Sequence, residues 1–558
     1  MITVIGWRSL AGLLVVLIGM SLPAAAEEVE APIPGEGAAA APGSTADHTQ
    51  FSVLEGPFET GPEVTEACLQ CHTEAAKQVH SSIHWTWTYE QPETEQTLGK
   101  RYVLNNLCMG IAGSYERCSS CHVGYGWEDR HFDFTAEEKV DCLVCHDTTG
   151  DYVKFPTAAG HPPYEDTEFR GTLFKAPDLA HVAQNVGDTS RETCGSCHFE
   201  GGGGNAVKHG DLDSSLLDPP RSVDVHMTPE GADFSCSSCH EFTGHIQRGS
   251  RYHLTVPDYD DAPVPARPQD KPACVACHGS EPHEGRIHDK LNTHGEFIAC
   301  QTCHVPEIAR GGYPTKTLWD WSEAGRLDDE GQPVVEKDDD GHVVYDGMKG
   351  VFEWDEDYPP DYRWFDGNMV YTLPDDTIDP DGEVPVNRPQ GRPGEDGAKI
   401  WPFKIMYGTQ LYDAEHHTLL VPQLFGKEGD ENAYWRNYDW DRAIEAGMEE
   451  ARAVGQTEME YSGAYGFVET RMYWPVNHMV APAEESVACV DCHSRDGRMA
   501  GLDGVYVPGQ DRHPRIEAVG WAAIGLTLFA VLGHGGVRYY LHRRERIGGP
   551  SDEEGQGS

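Results

Sequence analysis

The sequence predicts a mainly α body with much irregular chain, compact around covalently attached groups, followed by one C-terminal transmembrane helix. Three observations predict it. The motif Cys-x-x-Cys-His occurs eight times, crowded toward the first half of the chain. Periodic segments are short, as in CHTEAAKQVHSSIHWTW, where His80 and His84 fall on one helical face. Residues 516–537 form a mostly apolar run.

The motifs read ACLQCHT, RCSSCHV, DCLVCHD, TCGSCHF, SCSSCHE, ACVACHG, ACQTCHV and ACVDCHS. Each sets two thiols where they can add to the vinyl groups of one haem, with the next imidazole placed to bind its iron. The thiol pairs are Cys68 and Cys71, Cys118 and Cys121, Cys142 and Cys145, Cys194 and Cys197, Cys236 and Cys239, Cys274 and Cys277, Cys300 and Cys303, and Cys489 and Cys492. The imidazoles are His72, His122, His146, His198, His240, His278, His304 and His493. A redox dithiol or half a zinc site fits one such motif, and a disulfide scaffold fits many cysteines, but neither places a histidine after every second cysteine. The expected cofactors are eight c-type haems. They use 16 of the 17 cysteines and leave Cys108 over, ten residues before Cys118. Length alone suggests three or four domains, but the porphyrins supply much of the buried apolar surface, so a single octahaem body is expected.

Residues 1–26 carry Arg8, an apolar core and an Ala-rich site before Glu27, the pattern of an export signal. Residues 27–60, rich in Ala, Pro, Gly and Glu, read as a tether. The haem-bearing catalytic domain is placed at 61–510. Between Val305 and Ala488 no cysteine occurs. In that gap VVEKDDDGHVVYDG alternates about an Asp-rich turn and reads as a hairpin. Its acids offer calcium ligands but lack the EF-hand spacing, so a solvated turn is favoured. DRAIEAGMEEARAVGQ reads as an amphipathic helix that covers a haem or meets another subunit, which leaves a homo-oligomer open.

The run 516–537 is long enough to cross a hydrocarbon core of about 30 Å. Arg538, Arg543, Arg544 and Arg546 follow it, so the positive-inside bias puts the tail 538–558 in the cytoplasm. The expected location is the periplasmic side of the bacterial inner membrane, held by this single anchor. Gly520, Gly525, Gly533, Gly535 and Gly536 give it small faces for a partner helix. His534 is read as hydrated rather than as a ligand.

The formal charge is −50, from 42 basic and 92 acidic residues. That excludes nucleic acid as a partner and requires a locally positive funnel for any anionic substrate. Eight of the 28 histidines belong to motifs. The expected distal ligands are His84, His209, His226, His245, His288, His294 and His478, with His80, His253, His283, His416 and His417 in reserve and His48 left in the tether. Haems ligated by two histidines carry electrons but have no open position, so an enzyme needs one haem that differs.

The blocks NNLC before the second motif, CHDTTGDYVKFPTAAGHP at the third, KHGDLDSSL and DVHM around the fifth, TKTLWDWSEAG after the seventh, YRWFDG, and KIWPFKIMYGTQLYD closely resemble the octahaem tetrathionate reductase family. That family is related more distantly to hydroxylamine oxidoreductase and the pentahaem nitrite reductases. Its best-known type is soluble, so the run 516–537 departs from it. The resemblance implies that the second haem is the active site and that Lys154, in DYVKFP, binds its iron in place of His122. It also implies that Cys108, with Asn105, faces the open side of that haem. The expected reaction is reduction of tetrathionate to thiosulfate. Nitrite or hydroxylamine is the alternative substrate, with His131 or His161 relaying protons. A non-catalytic conduit to periplasmic acceptors is a third reading. In each, a quinol-oxidising cytochrome of the inner membrane is the expected donor.

Overall fold

Between Thr315 and Pro475 the chain builds a nine-stranded sheet. Its strands are β1 (Thr315–Asp320), β2 (Val335–Lys337), β3 (Val343–Asp346), β4 (Gly350–Asp355), β5 (Asp361–Phe365), β6 (Val384–Pro385), β7 (Lys399–Asp413), β8 (Thr418–Leu419) and β9 (Tyr465–Pro475). The order is β6-β9-β7-β1-β4-β3-β2, with β5 and β8 pairing antiparallel to the two ends of β7. β7 and β9 run antiparallel from Phe403 opposite Pro475 to Asp413 opposite Tyr465. β1 lies parallel to β7. Aromatic and branched side chains stand on the pleated faces, as such residues pack best there. Trp319, Phe352, Phe365, Phe403, Met406, Met472 and Trp474 join one large buried cluster.

The computed structural model describes residues 46–254 and 274–547. The export signal 1–26, the tether as far as residue 45 and the end of the cytoplasmic tail from 548 lie outside them. The chain divides at His48, and the unit from His48 onward carries all the haem motifs.

Of the sheet, the sequence reading foresaw the β2–β3 hairpin. There Asp338 accepts from the amides of Asp340 (3.1 Å) and His342 (2.8 Å), so its carboxylate is engaged in its own turn. Among the described residues no group of three or more acidic, His or Cys side chains is arranged around a metal-sized space.

The haem-bearing part consists of short helices and irregular chain. Helix α1 (Gly61–Leu69) opens with a capping box between Thr60 and Glu63, and α2 (Arg191–His198) with one between Ser190 and Thr193. Apolar side chains there form small separate clusters, such as Leu54, Val64, Leu143, Tyr152, Leu179 and Val182. Each is too small to hold its segments together, as expected where porphyrins fill the space between them.

The amphipathic helix is α3 (Trp440–Ala453). Asp439 caps it, and Ala443, Ile444, Gly447, Met448 and Ala451 form its buried stripe. A Cβ at Gly447 would lie 2.1 Å from the Val421 carbonyl, so a residue without one is needed where the helix meets the chain. The stripe thus covers the protein's own core.

Residues 498–511 lie against β5, with Trp364 donating to the Asp503 carbonyl at 2.9 Å. Helix α4 (Pro514–Ile547) follows, 34 residues long, exposed throughout and apolar enough to cross a membrane.

Candidate haem centres and active site

Seven motif imidazoles face a second imidazole. His72 faces His48 (ring centres 6.4 Å apart), His146 faces His245 (6.3 Å) and His198 faces His84 (6.1 Å). His240 faces His478 (6.2 Å), and His278 faces His226 (6.1 Å). His304 faces His283 (6.2 Å), and His493 faces His294 (6.2 Å). A metal binds an imidazole nitrogen at about 2 Å, with the ring centre roughly 1 Å behind, so two rings on opposite sides of one ion have centres about 6 Å apart. The observed separations fit an iron between each pair. The planes cross at 15 to 87°, which axial ligation permits because both contain the bond axis.

The outward nitrogens are anchored, as metal-binding imidazoles require. Nδ1 of His146 donates to the Gly187 carbonyl (2.8 Å), that of His240 to Arg248 (3.0 Å) and that of His493 to Pro508 (2.9 Å). On the facing side, His245 donates to Gln78 (2.8 Å), His283 to Asn292 (3.0 Å) and His478 to Asp211 (3.1 Å). Burial pushes His84, His226, His240, His245, His294 and His304 below the ordinary imidazole value, and His198 to about 3. These rings are neutral, the form that binds metal. At His478 burial acts the same way, but Asp211 outweighs it and raises the value.

Of the expected distal residues, the structure brings His84, His226, His245, His294 and His478 opposite motif imidazoles. It does not bring His209 or His288 there. His209 packs edge-on against Trp474, with ring centres 5.2 Å apart, and His288 lies 2.9 Å from Asp289. His48 and His283 occupy the two places instead.

The second motif differs. His122 is fully buried among Trp85, Trp87, Trp127 and Phe132, with ring centres 4.9–5.6 Å away. Its Nε2 donates to the Trp85 carbonyl at 2.8 Å, so the nitrogen that would bind iron is engaged elsewhere. Burial takes its pKa to about 3. Beside it stands Lys154, whose Nζ donates to the His122 carbonyl at 2.5 Å and pairs with Asp141 at 3.0 Å. Asp141, its side chain fully enclosed, also accepts from the hydroxyls of Tyr125 (2.7 Å) and Tyr152 (3.0 Å) and the Val144 amide (3.0 Å). Gly160, at φ +91°, lets the chain close over this point, since a Cβ there would lie 2.1 Å from the Gly124 carbonyl and 3.3 Å from Lys154 Nζ. His161 stacks on Tyr125 (5.3 Å) and bonds the Tyr164 hydroxyl (2.7 Å). His131 is exposed.

Cys108 is half-buried against the sheet core. The Asn105 side-chain carbonyl accepts from the amides of Leu107 and Cys108, both at 2.8 Å, and so shapes the turn that presents the thiol. Trp321 donates to the Asn106 carbonyl (3.3 Å) and Asn106 to the Met406 carbonyl (2.8 Å), fastening that turn to β7 and to the turn that follows β1.

The free thiols stand in for thioether sulfurs, and their contacts show which motifs adjoin. Cys68 touches Cys142, Cys121 touches Cys197, Cys194 touches Cys236, and Cys274 touches Cys300. Cys145 lies within electrostatic reach of Cys194, Cys239 of Cys277, and Cys303 of Cys492. The Val487 amide donates to the Cys303 carbonyl at 2.9 Å, joining the seventh motif to the chain leading into the eighth.

A family model described as bacterial cytochrome c matches residues 316–496. An uncharacterised protein of Archaeoglobus fulgidus is 23% identical over 242 residues, covering 36% of this chain and 79% of that protein. The crystal structure of octahaem cytochrome c from Shewanella oneidensis is 39% identical and superposes with a TM-score of 0.71, covering 82% of this chain and 97% of that one. With its eight attachment motifs, seven of them with a facing imidazole, the chain belongs to the octahaem cytochrome c family.

Proposed function

We propose that this multihaem cytochrome is a reductase acting at the second attachment motif, and that tetrathionate is its substrate. The observation that carries this reading is the divergence of His122. Among the described residues it is the one motif imidazole that faces no second imidazole, and a buried lysine stands next to it. The haems, when bound, would supply one-electron transfer and, at this motif, the iron at which the substrate is reduced.

The chain's own residues do the rest. Lys154 would hold the iron in place of His122, its amine positioned by Asp141, which the two tyrosines hold in turn. The seven facing histidines complete the remaining haems. Cys108, presented by the turn at Asn105, meets a sulfur of the substrate. Tetrathionate takes up two electrons, its central S–S bond breaks, and two thiosulfates leave with no net proton uptake. The export-signal pattern of residues 1–26 and the apolar α4 support a periplasmic site at the inner membrane, and a quinol-oxidising cytochrome there is the proposed donor.

The test offers the purified holoprotein tetrathionate, nitrite and hydroxylamine with reduced viologen. The expected result is the highest kcat/KM for tetrathionate; a nitrogen substrate better by about tenfold refutes the choice. One observation favours that second reading. Nitrogen reductions consume protons, and Asp141, Tyr125, His161 and Tyr164 form a chain of hydrogen-bonded and stacked groups leading from Lys154.

A further inference from the structure

The chain ahead of α4 is fastened to the eighth attachment motif. Met499, Leu502, Val505 and Val507 pack with Cys492 and with Tyr362 and Ile400 of the sheet. His493 Nδ1 donates to the Pro508 carbonyl at 2.9 Å, and the Gln510 side chain donates to the Gly497 carbonyl at 3.0 Å. Asp511 closes the turn: its carboxylate accepts from the Val507 amide at 2.6 Å, and its own amide donates to the Val507 carbonyl at 3.0 Å. At Gly509, φ +91°, the two segments touch, since a Cβ there would lie 2.4 Å from the His493 carbonyl oxygen. After Asp511 only Arg512 and His513 remain before α4 begins at Pro514.

Covalent reach then bounds a distance. An extended chain gains at most about 3.6 Å per residue, so Pro514 lies within roughly 20 Å of the His493 backbone that Gly509 touches. The apolar run starts at Ile516, within the first turn of the helix. That reach is shorter than the hydrocarbon core is deep, about 30 Å. With α4 in a bilayer, the eighth motif is therefore held close to the membrane surface. Val490, between its two cysteines, is 64% exposed, and Tyr506, in the fastened segment, is 60% exposed, so the body leaves this face open. The Val487 amide, bonded to the Cys303 carbonyl, ties the motif inward to the seventh.

We propose that the eighth attachment motif is the port at which electrons enter from the membrane, and that the face bearing Val490 and Tyr506 docks a membrane-embedded cytochrome. The inference rests on α4 being the anchor and on the inward electron flow of the reductase reading, and it names the surface the donor meets. A quinol stays within the hydrocarbon, which the fastened segment does not enter. The occupant is therefore a protein that carries the electron out to the bilayer surface. One electron passes from the donor's ferrous haem to the ferric haem of the eighth motif; the first is oxidised, the second reduced, and no bond is made or broken.

The test uses the full-length holoprotein in liposomes and follows haem absorbance in a stopped flow. Two reductants are compared, a reduced viologen carried on a phospholipid headgroup and the same viologen free in solution, and the readout is the ratio of the two rates. A rigid helical spacer of about 20 residues between Arg512 and His513 lifts the motif by about 30 Å. It is expected to lower the ratio by about tenfold or more, because nearness to the lipid acts as an effective concentration. Replacing Cys489 and Cys492 by Ala, which leaves seven haems by mass, should lower it as far. A ratio within about twofold of the parent in either variant overturns the port, and the spacer decides alone if the seven-haem protein does not assemble. Liposomes holding only a naphthoquinol should not reduce the parent; reduction as fast as by the viologen lipid overturns the cytochrome as occupant. A parent that does not float with liposomes overturns anchor and port together. Tetrathionate turnover with soluble viologen is measured apart from all of these, so the reaction at the second motif stands or falls on its own result.

Discussion

His48 and His72 stack with ring centres 6.4 Å apart and planes 18° apart, so the segment ahead of α1 folds back over the first motif. Leu54, 4% exposed, secures that segment against Val64 and Leu143. Replacing His48 by Ala removes one axial partner and leaves Cys68 and Cys71 intact. Mass spectrometry should still count eight haems, while electron paramagnetic resonance should show one converted from low to high spin. An unchanged spectrum would break the pairing.

Lys154→Ala should abolish turnover at the second motif, by at least about 100-fold in kcat, since even residues that only support metal ligands cost 10–100-fold. The seven haems with facing histidines should still reduce fully with dithionite. Retention of parental activity sinks the assignment.

Asp141→Asn takes from Lys154, whose side chain is 7% exposed, the carboxylate that accepts its N–H and holds the amine in position. Leaving a buried hydrogen-bonding group poorly partnered costs about 1–3 kcal/mol. The loss should appear as a lower melting temperature, and the spectrum of the second haem should change with it. Asp141→Glu should recover part of both.

Burial lowers the Lys316 pKa to about 6; Lys349 and Lys404 lower it too, while Asp346 and Cys108 support the charge. Between this value and the ordinary lysine value the unfolded chain holds the proton and the folded one does not. This group therefore makes stability rise with pH across that window. Lys316→Met should flatten that rise in melting temperature with pH, and an unchanged slope refutes it.

Removing α4 by ending the chain at His513 should yield a protein that needs no detergent and keeps its viologen-driven kcat/KM. Only reduction by a membrane-confined donor should be lost. A truncated protein that still sediments with membranes would place the anchor elsewhere.

The attachment motifs were legible because thioether chemistry fixes residue types at fixed spacing. The distal histidines were legible only where nearness in sequence coincided with nearness in space. His84 and His226 lie close to motifs and face imidazoles, whereas His209 is equally close to the fourth motif yet turns to Trp474. His48 was passed over because Ala- and Pro-rich composition reads as tether, although the last residues of such a stretch can still fold onto a domain. Most of the sheet was invisible for another reason. β7 carries three consecutive buried residues, Pro402, Phe403 and Lys404, so both faces are covered there and the alternation that betrays a half-exposed strand is broken. Lys316 gave no signal at all, since a lone lysine in sequence reads as solvated surface.

The sulfur contacts give the protein the topology of a branched circuit. The fourth motif touches the second through Cys197 and the fifth through Cys194, and the third lies beside it through Cys145. It is the single node common to three arms: one through the fifth to the eighth motif and α4, one through the third to the first motif and His48, and one ending at Lys154. An electron entering at either distant terminal would therefore reach the second motif across one shared junction, the one flanked by His84 and His198.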